Sequence, residues 1–89
     1  MERFHRRHAV LVISQRCGLC ARAEALVLRL APRFGVSIDV VDTAADPTMA
    51  RDYGHRVPVL LAVGGKVLAE GAMTGVSVQA ALLRVRLGF

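Results

Sequence analysis

The two cysteines of this 89-residue chain stand three positions apart, as Cys17-Gly18-Leu19-Cys20. They follow the apolar run at residues 9–13 and precede a segment with helical periodicity. Two thiols at this spacing can form a disulfide with each other and exchange it with disulfides of other molecules. A helix that begins at the first cysteine places its sulfur over unpaired backbone N–H groups, where the thiolate is favoured. The pattern therefore predicts a redox-active dithiol.

The two sulfurs are expected to have different roles. Cys17, at the exposed start of the helix, would attack a substrate disulfide and form a mixed disulfide with it. Cys20 lies one helical turn further on and is expected to be more buried; it would then attack Cys17 and release the reduced substrate. Arg16 and Arg22 flank the motif and could favour the thiolate of Cys17, although solvated surface side chains are an equal alternative. We predict Cys17 and Cys20 as the catalytic pair and Arg16 as a substrate contact.

Length and composition indicate one domain that spans residues 1–89. A hydrophobic fraction of 54% is enough for a core without disulfides or a structural metal. The apolar run that follows the basic N-terminal residues ends at Ser14, which is too short for the apolar region of a signal peptide. We therefore expect a cytoplasmic protein, and in that reducing compartment a close cysteine pair is more often catalytic or metal-binding than structural.

The basic charge of the chain does not by itself indicate a nucleic-acid partner. The formal net charge is +5, from eleven arginines and one lysine against seven acidic residues, but the arginines are spread along the chain. Base stacking needs aromatic side chains, and the chain has four: Phe4, Phe34, Tyr53 and Phe89. We expect a solvated basic surface, with neither a nucleic-acid nor a membrane partner.

The order of predicted elements is strand, helix, strand, helix, strand, strand, helix. Apolar and β-branched runs predict strands at residues 8–14, 36–41, 57–63 and 66–69. Periodicity and end signals predict helices at residues 18–34 and 47–53, and a last helix that begins between residues 74 and 77. Gly64-Gly65 is typical of a hairpin turn. A right-handed crossover joins the first two strands in parallel, so the expected fold is a four-stranded mixed sheet with helices on both faces.

The sequence resembles the small bacterial glutaredoxin-like proteins of the thioredoxin superfamily. The residues that carry the resemblance are Cys17-Gly18-Leu19-Cys20, Val41-Asp42, Asp46-Pro47 and the segment YGHRVPVLL at positions 53–61. The resemblance implies a thioredoxin-like fold and thiol-disulfide oxidoreductase activity, in line with the interpretation of the cysteine pair.

The resemblance also implies a role for Val57-Pro58. In the superfamily a Val-Pro pair with a cis peptide bond heads the third strand and lies beside the active-site sulfurs. The main-chain groups of Val57 would then be open to pair with an extended substrate segment. Arg56 directly precedes this pair, so we predict Val57, Pro58 and Arg56 as substrate-binding residues; for Arg56 a solvated loop position is the alternative.

Several features differ from the better-known branches of the superfamily. Dithiol glutaredoxins usually carry Pro-Tyr between their cysteines and thioredoxins Gly-Pro, whereas this chain has Gly18-Leu19. Glutathione-binding glutaredoxins place an acidic pair after the hairpin, where this chain reads EGAMTG at positions 70–75. No Trp precedes Cys17 as it does in thioredoxins.

Two other classes of function stay open. The cysteines could bind zinc with His5, His8 or His55, or Cys17 could hold an iron–sulfur cluster between two copies of the chain. The chain could also be a redox-inert binding module on a thioredoxin-like scaffold. We expect the oxidoreductase, with no metal and no cofactor, acting as a monomer on disulfides of protein or small-thiol substrates, with disulfide-containing proteins as its partners. Its reductant would be a dithiol or a thioredoxin-reductase-like enzyme, with glutathione as the alternative.

Glutathione alone is expected to reduce the oxidised protein poorly, because the acidic pair that would hold it is missing after Glu70. A dithiol such as dithiothreitol should reduce it faster at the same thiol concentration. The measurement is the rate at which the oxidised protein regains free thiols. Efficient turnover that saturates at low glutathione would contradict the prediction.

Overall fold

The computed structural model describes residues 7–88 of the chain. His5, which was considered as a zinc ligand, and the aromatic residues Phe4 and Phe89 lie outside this range.

Four strands and three α-helices make up the fold. The strands are β1 (His8–Ile13), β2 (Ser37–Asp42), β3 (Val59–Ala62) and β4 (Val67–Glu70), and the helices are α1 (Gly18–Leu30), α2 (Pro47–Tyr53) and α3 (Gly75–Leu87). Short 3-10 turns follow α1, at Ala31–Phe34, and β2, at Thr43–Ala45. The order of elements is the predicted βαβαββα.

The sheet has the strand order β2-β1-β3-β4, with β1 parallel to β2 and antiparallel to β3. A central strand is covered on both faces, which explains the unbroken apolar run of β1. The β3–β4 hairpin turns at Gly64 and Gly65, whose φ angles of 96° and 92° favour glycine at both positions. The fold is the predicted thioredoxin-like α/β arrangement.

The helices cover opposite faces of this sheet. On one face, α1 and α3 pack on Leu11 and Leu60, and their inward positions include Val27 and Leu82. On the other face, Met49 and Tyr53 of α2 pack in a smaller cluster with side chains of β1 and β3. The larger cluster also contains the buried Cys20 and packs against Cys17, so the site stands at the edge of the main core.

The structure corrects several predicted boundaries. The helix predicted to reach residue 34 ends at Leu30, because Pro32 lacks an N–H and the chain tightens into a 3-10 turn that Gly35 closes at a φ of 68°. The third strand begins at Val59, two residues later than predicted, since Val57 and Pro58 form the loop that enters it. Strand β4 likewise runs one residue later than predicted, to Glu70.

Side chains cap the two later helices. Asp46 accepts a hydrogen bond from the Met49 N–H at the start of α2. At α3, which begins within the predicted window, Thr74 and Ser77 form a reciprocal capping box. Among residues 7–88, no helix is long and apolar enough to cross a membrane.

Adjacent leucines on α3 test which of its faces supports the core. Leu82 is fully buried and Leu83 is 45% exposed. Leu82→Ala should lower the free energy of unfolding by about 2–5 kcal/mol, because it leaves a cavity between α3 and the sheet. Leu83→Ala is the matched control and should cost less than about 1 kcal/mol. Urea unfolding measures both; equal losses would contradict the packing of α3.

Candidate active site

The topology brings four chain segments to one edge of the sheet. Strands β1 and β2 are parallel, with Ile13 beside Asp42, so both end at this edge. Strand β3 is antiparallel to β1 and pairs Val59 with Val12, so the loop that enters β3 starts at the same edge. Strand β4 ends there with Glu70 opposite Val59. The cysteine motif, which follows β1, therefore meets the Val57-Pro58 loop across the sheet edge.

Cys17 occupies the N-cap position of α1, with an extended backbone. Its Sγ accepts a hydrogen bond from the Cys20 N–H at 3.1 Å, and its carbonyl oxygen accepts from the same group at 3.1 Å. Such contacts at a helix N-terminus stabilise negative charge on the sulfur. Cys17 is half-buried, in contrast to the buried Cys20. Cys17 thus lies at the start of α1 as the sequence predicts, and its role as the attacking group stays a prediction.

Cys20 lies one turn further along α1 and is buried. The pKa of its thiol is raised to about 11, first because burial disfavours the thiolate and second because of a hydrogen bond with Cys17. The Ser14 N–H donates to Cys20 Sγ at 3.4 Å, and this hydrogen bond lowers the Cys20 pKa. Cys20 is therefore a protonated thiol at neutral pH, held beside Cys17.

The Val57-Pro58 loop forms the other wall of the site. The peptide bond is cis, which confirms the expectation from the family resemblance. Pro58 is buried, and its carbonyl oxygen accepts from the Gly71 N–H at 2.9 Å. The Cys17 thiol points at the Val57 carbonyl oxygen, with 3.9 Å between sulfur and oxygen. Within residues 7–88 the Val57 N–H has no hydrogen-bond partner, so this group can bind a substrate backbone.

A contact that the sequence did not indicate ties the loop before Cys17 to the sheet. The Gln15 side-chain amide donates to Asp42 Oδ2, while Asp42 Oδ1 accepts from the Ala44 N–H at 2.8 Å. Both hydrogen bonds lower the pKa of the Asp42 carboxyl, the bond from Ala44 more than the bond from Gln15. The parallel pairing of the first two strands was the signal that could have placed Asp42 near the motif.

The two predicted arginines occupy different environments. The Arg56 guanidinium donates to Glu70 Oε1 from Nε at 2.9 Å and from Nη2 at 2.6 Å, and it lies 5.5 Å from the centre of the Tyr53 ring. It thus joins the loop before Val57 to the end of β4. Arg16 is exposed, and its backbone N–H is 3.5 Å from Ser14 Oγ. The structure brings Cys17, Cys20, Val57 and Pro58 together, and substrate binding by either arginine stays a prediction.

The described part of the chain also bears on the zinc alternative. Across residues 7–88, no group of three or more His, Cys, Asp and Glu side chains is arranged to hold a metal ion. His8, one of the ligands considered, pairs instead with Asp39, with Nε2 and Oδ2 2.9 Å apart.

Comparison with known families agrees with this geometry. The profile of the glutaredoxin-like domain, DUF836, matches residues 8–87. The chain belongs to this family. A solved structure, the X-ray structure of Northeast Structural Genomics target protein XcR50 from X. campestris, is similar to this glutaredoxin-like chain with a TM-score of 0.66 and 26% sequence identity. The match covers 83% of this chain and 93% of that one. No curated protein matches the sequence.

The different environments of the two sulfurs predict the order in which they react. In the reduced protein, iodoacetamide should modify the accessible Cys17 first at pH 7. Modification of Cys20 should be slow at that pH, because only the thiolate reacts and the pKa of the buried Cys20 thiol is about 11. The rate for Cys20 should rise about tenfold per pH unit until the pH approaches 11. Peptide mapping after alkylation at each pH measures this order. Earlier labelling of Cys20 at neutral pH would contradict the assignment.

Proposed function

We propose that this glutaredoxin-like protein is a thiol-disulfide oxidoreductase that reduces disulfides in proteins. The single observation that carries the proposal is the pairing of two unlike sulfurs. Cys17 is accessible and hydrogen-bonded at a helix N-terminus, and the buried Cys20 donates its backbone N–H to the Cys17 sulfur. A structural disulfide needs no such difference between its two cysteines, whereas sequential exchange does.

In the first step, the Cys17 thiolate attacks one sulfur of a substrate disulfide. The Cys17–substrate S–S bond forms as the substrate S–S bond breaks, and the other substrate sulfur leaves as a thiolate that takes a proton from water. The Val57 N–H and carbonyl group lie beside Cys17 and would pair with the backbone of an extended substrate segment. This pairing would hold the substrate disulfide in line with the attacking sulfur.

In the second step, Cys20 attacks Cys17 Sγ: the Cys17–Cys20 S–S bond forms as the Cys17–substrate S–S bond breaks, and the substrate sulfur leaves with the proton that Cys20 gives up. The protein ends as a Cys17–Cys20 disulfide, and two electrons have passed to the substrate. Hydrogen bonding and charge from Cys17 contribute to the raised pKa of Cys20. Both contributions fall once Cys17 is in a mixed disulfide, because that sulfur carries no charge. Cys20 thus becomes more acidic at the stage when its thiolate is needed.

The catalytic cycle requires a second thiol source to reduce the Cys17–Cys20 disulfide. We propose a dithiol reductant or a thioredoxin-reductase-like enzyme for this step. The segment that follows Glu70 lacks the acidic pair of glutathione-binding glutaredoxins, which makes glutathione the less favoured reductant. We propose further that the protein acts as a monomer in cytoplasmic redox homeostasis.

Substitution of each cysteine tests the proposed division of roles. Cys17→Ser should abolish reduction of a protein disulfide such as those of insulin, because the attacking sulfur is gone. Cys20→Ser should still attack but should accumulate as a mixed disulfide with the substrate. Insulin reduction with dithiothreitol measures the first effect, and non-reducing mass spectrometry measures the second.

Equal activity of the two variants would show that the reaction is not sequential exchange. Retention of wild-type activity in Cys17→Ser would exclude Cys17 as the attacking group. In a cell extract, the Cys20→Ser protein should trap substrates that dithiothreitol releases, and Cys17→Ser is the matched control for that capture.

A further inference from the structure

An open groove of about 390 Å³ lies on the side of α1 that faces the β4–α3 connection. One wall belongs to α1 and the other to the connection and the start of α3. The lining residues are Arg22, Ala25, Leu26 and Arg29 on α1, and Met73, Thr74 and Gly75 opposite. The proposed exchange reaction uses none of these side chains as a reacting group.

The groove lies along the helix that follows Cys17, next to the segment that leads from β4 to α3. Leu19, Arg22, Leu26 and Arg29 follow one another at spacings of three, four and three residues, so they share one face of α1. Leu19 stands between the two cysteines, and its side chain is 46% exposed. The opposite wall is tied to the Val57-Pro58 loop through the hydrogen bond from the Gly71 N–H to the Pro58 carbonyl oxygen. A segment bound beside Cys17 could therefore continue into the groove.

The chemistry of the groove is basic at its rim and apolar at its floor. Met73 is buried and Leu26 is partly buried, whereas Arg22 and Arg29 are exposed. Among residues 7–88, no Asp or Glu lines the groove. Within residues 7–88, neither guanidinium forms an ion pair with an acidic side chain. Glu24, the acidic residue of α1, lies two positions from Arg22 and so on a different face. The groove therefore complements negative charge.

We propose that this groove binds an acidic, extended segment of the protein substrate, next to the cysteine that Cys17 attacks. The inference rests on the proposed oxidoreductase function and specifies its substrate class. Arg22 and Arg29 follow Cys17 by five and twelve residues, which is about 7.5 and 18 Å along a helix. An extended chain covers these distances in about two and five residues. The preferred substrate thus carries acidic residues two and five positions from its cysteine, with an apolar residue between them for Leu26 and Met73.

A nucleic acid would be attracted by the same charge, but the groove fits it less well. In the described range 7–88, no aromatic side chain lines the groove for base stacking. Its apolar floor matches an aliphatic side chain better than a phosphodiester backbone. An oligonucleotide is therefore a competing outcome in the test.

The test uses two peptides that differ only in charge. The acidic peptide is Cys-Gly-Glu-Leu-Gly-Glu, and the neutral one has Gln in place of both Glu residues. Each is supplied as its disulfide-linked dimer, from which the reduced protein releases two peptide thiols as it forms one Cys17–Cys20 disulfide. The wild type should reduce the acidic dimer about tenfold faster than the neutral one, as two exposed ion pairs allow. Added salt should shrink the difference.

Charge reversal in the groove should remove this preference. In Arg22→Glu/Arg29→Glu, the rate ratio of acidic to neutral dimer should fall to one or below; Arg22→Gln/Arg29→Gln is the milder version. The ratio is taken within one variant, so any change in Cys17 reactivity cancels. Arg51→Glu on α2, across the sheet, is the matched control for charge reversal at one position and should keep the wild-type ratio.

A binding measurement separates this inference from the proposed function. The acidic peptide with Ser in place of Cys is added to ¹⁵N-labelled protein, and backbone NMR shifts are followed; the affected residues should be Arg22–Arg29 and Met73–Gly75. If the protein reduces no disulfide yet these shifts appear, the oxidoreductase proposal fails and the acidic groove stands. If a small disulfide is reduced but the acidic peptide has neither a rate advantage nor these shifts, the groove proposal is wrong. Stronger shifts from oligothymidine or from glutathione would also overturn it.

Discussion

The pairing of β1 with both β2 and β3 is the constraint on which the site depends. As the central apolar strand, β1 must be covered on both faces and paired along both edges. Its antiparallel partner β3 then begins where β1 ends, and this places Val57 across from Cys17. Neither residue is close to the other along the chain, so their contact exists because a buried strand satisfies its backbone in one register.

The same packing makes two chemically similar sulfurs unlike. Cys17 is the N-cap residue of helix α1 and lies beside the backbone N–H groups of its first turn. Cys20, one turn further on, is buried in the core with Ala23 and Val27. Removal from water keeps the proton on Cys20, whereas Cys17 lies at the helix terminus and accepts the Cys20 N–H. The helix that holds the two sulfurs close therefore also divides their chemical roles.

Positive charge serves different purposes in different places on the molecule. Arg56 is paired with Glu70 beside the Val57-Pro58 loop, and a half-exposed ion pair of this kind contributes little to stability but fixes local geometry. Arg22 and Arg29, by contrast, line an open groove to which residues 7–88 contribute no acidic side chain. The arginines are evenly spread along the sequence, but in the fold two of them give this groove a local positive charge. The proposed acidic substrate segment would complement that charge.

The sequence by itself determined the order of elements, the central apolar strand, the helix that starts at the cysteine motif and the glycine hairpin. Each follows from local preferences: apolar periodicity, proline and glycine geometry, and side-chain caps. The cis bond at Val57-Pro58 came from family resemblance and not from local chemistry. The bond between Gln15 and Asp42, the engagement of Arg56 by Glu70 and the groove beside Arg22 were decided by the tertiary structure. Their partners lie on different elements, and distances between elements depend on packing that no local pattern encodes.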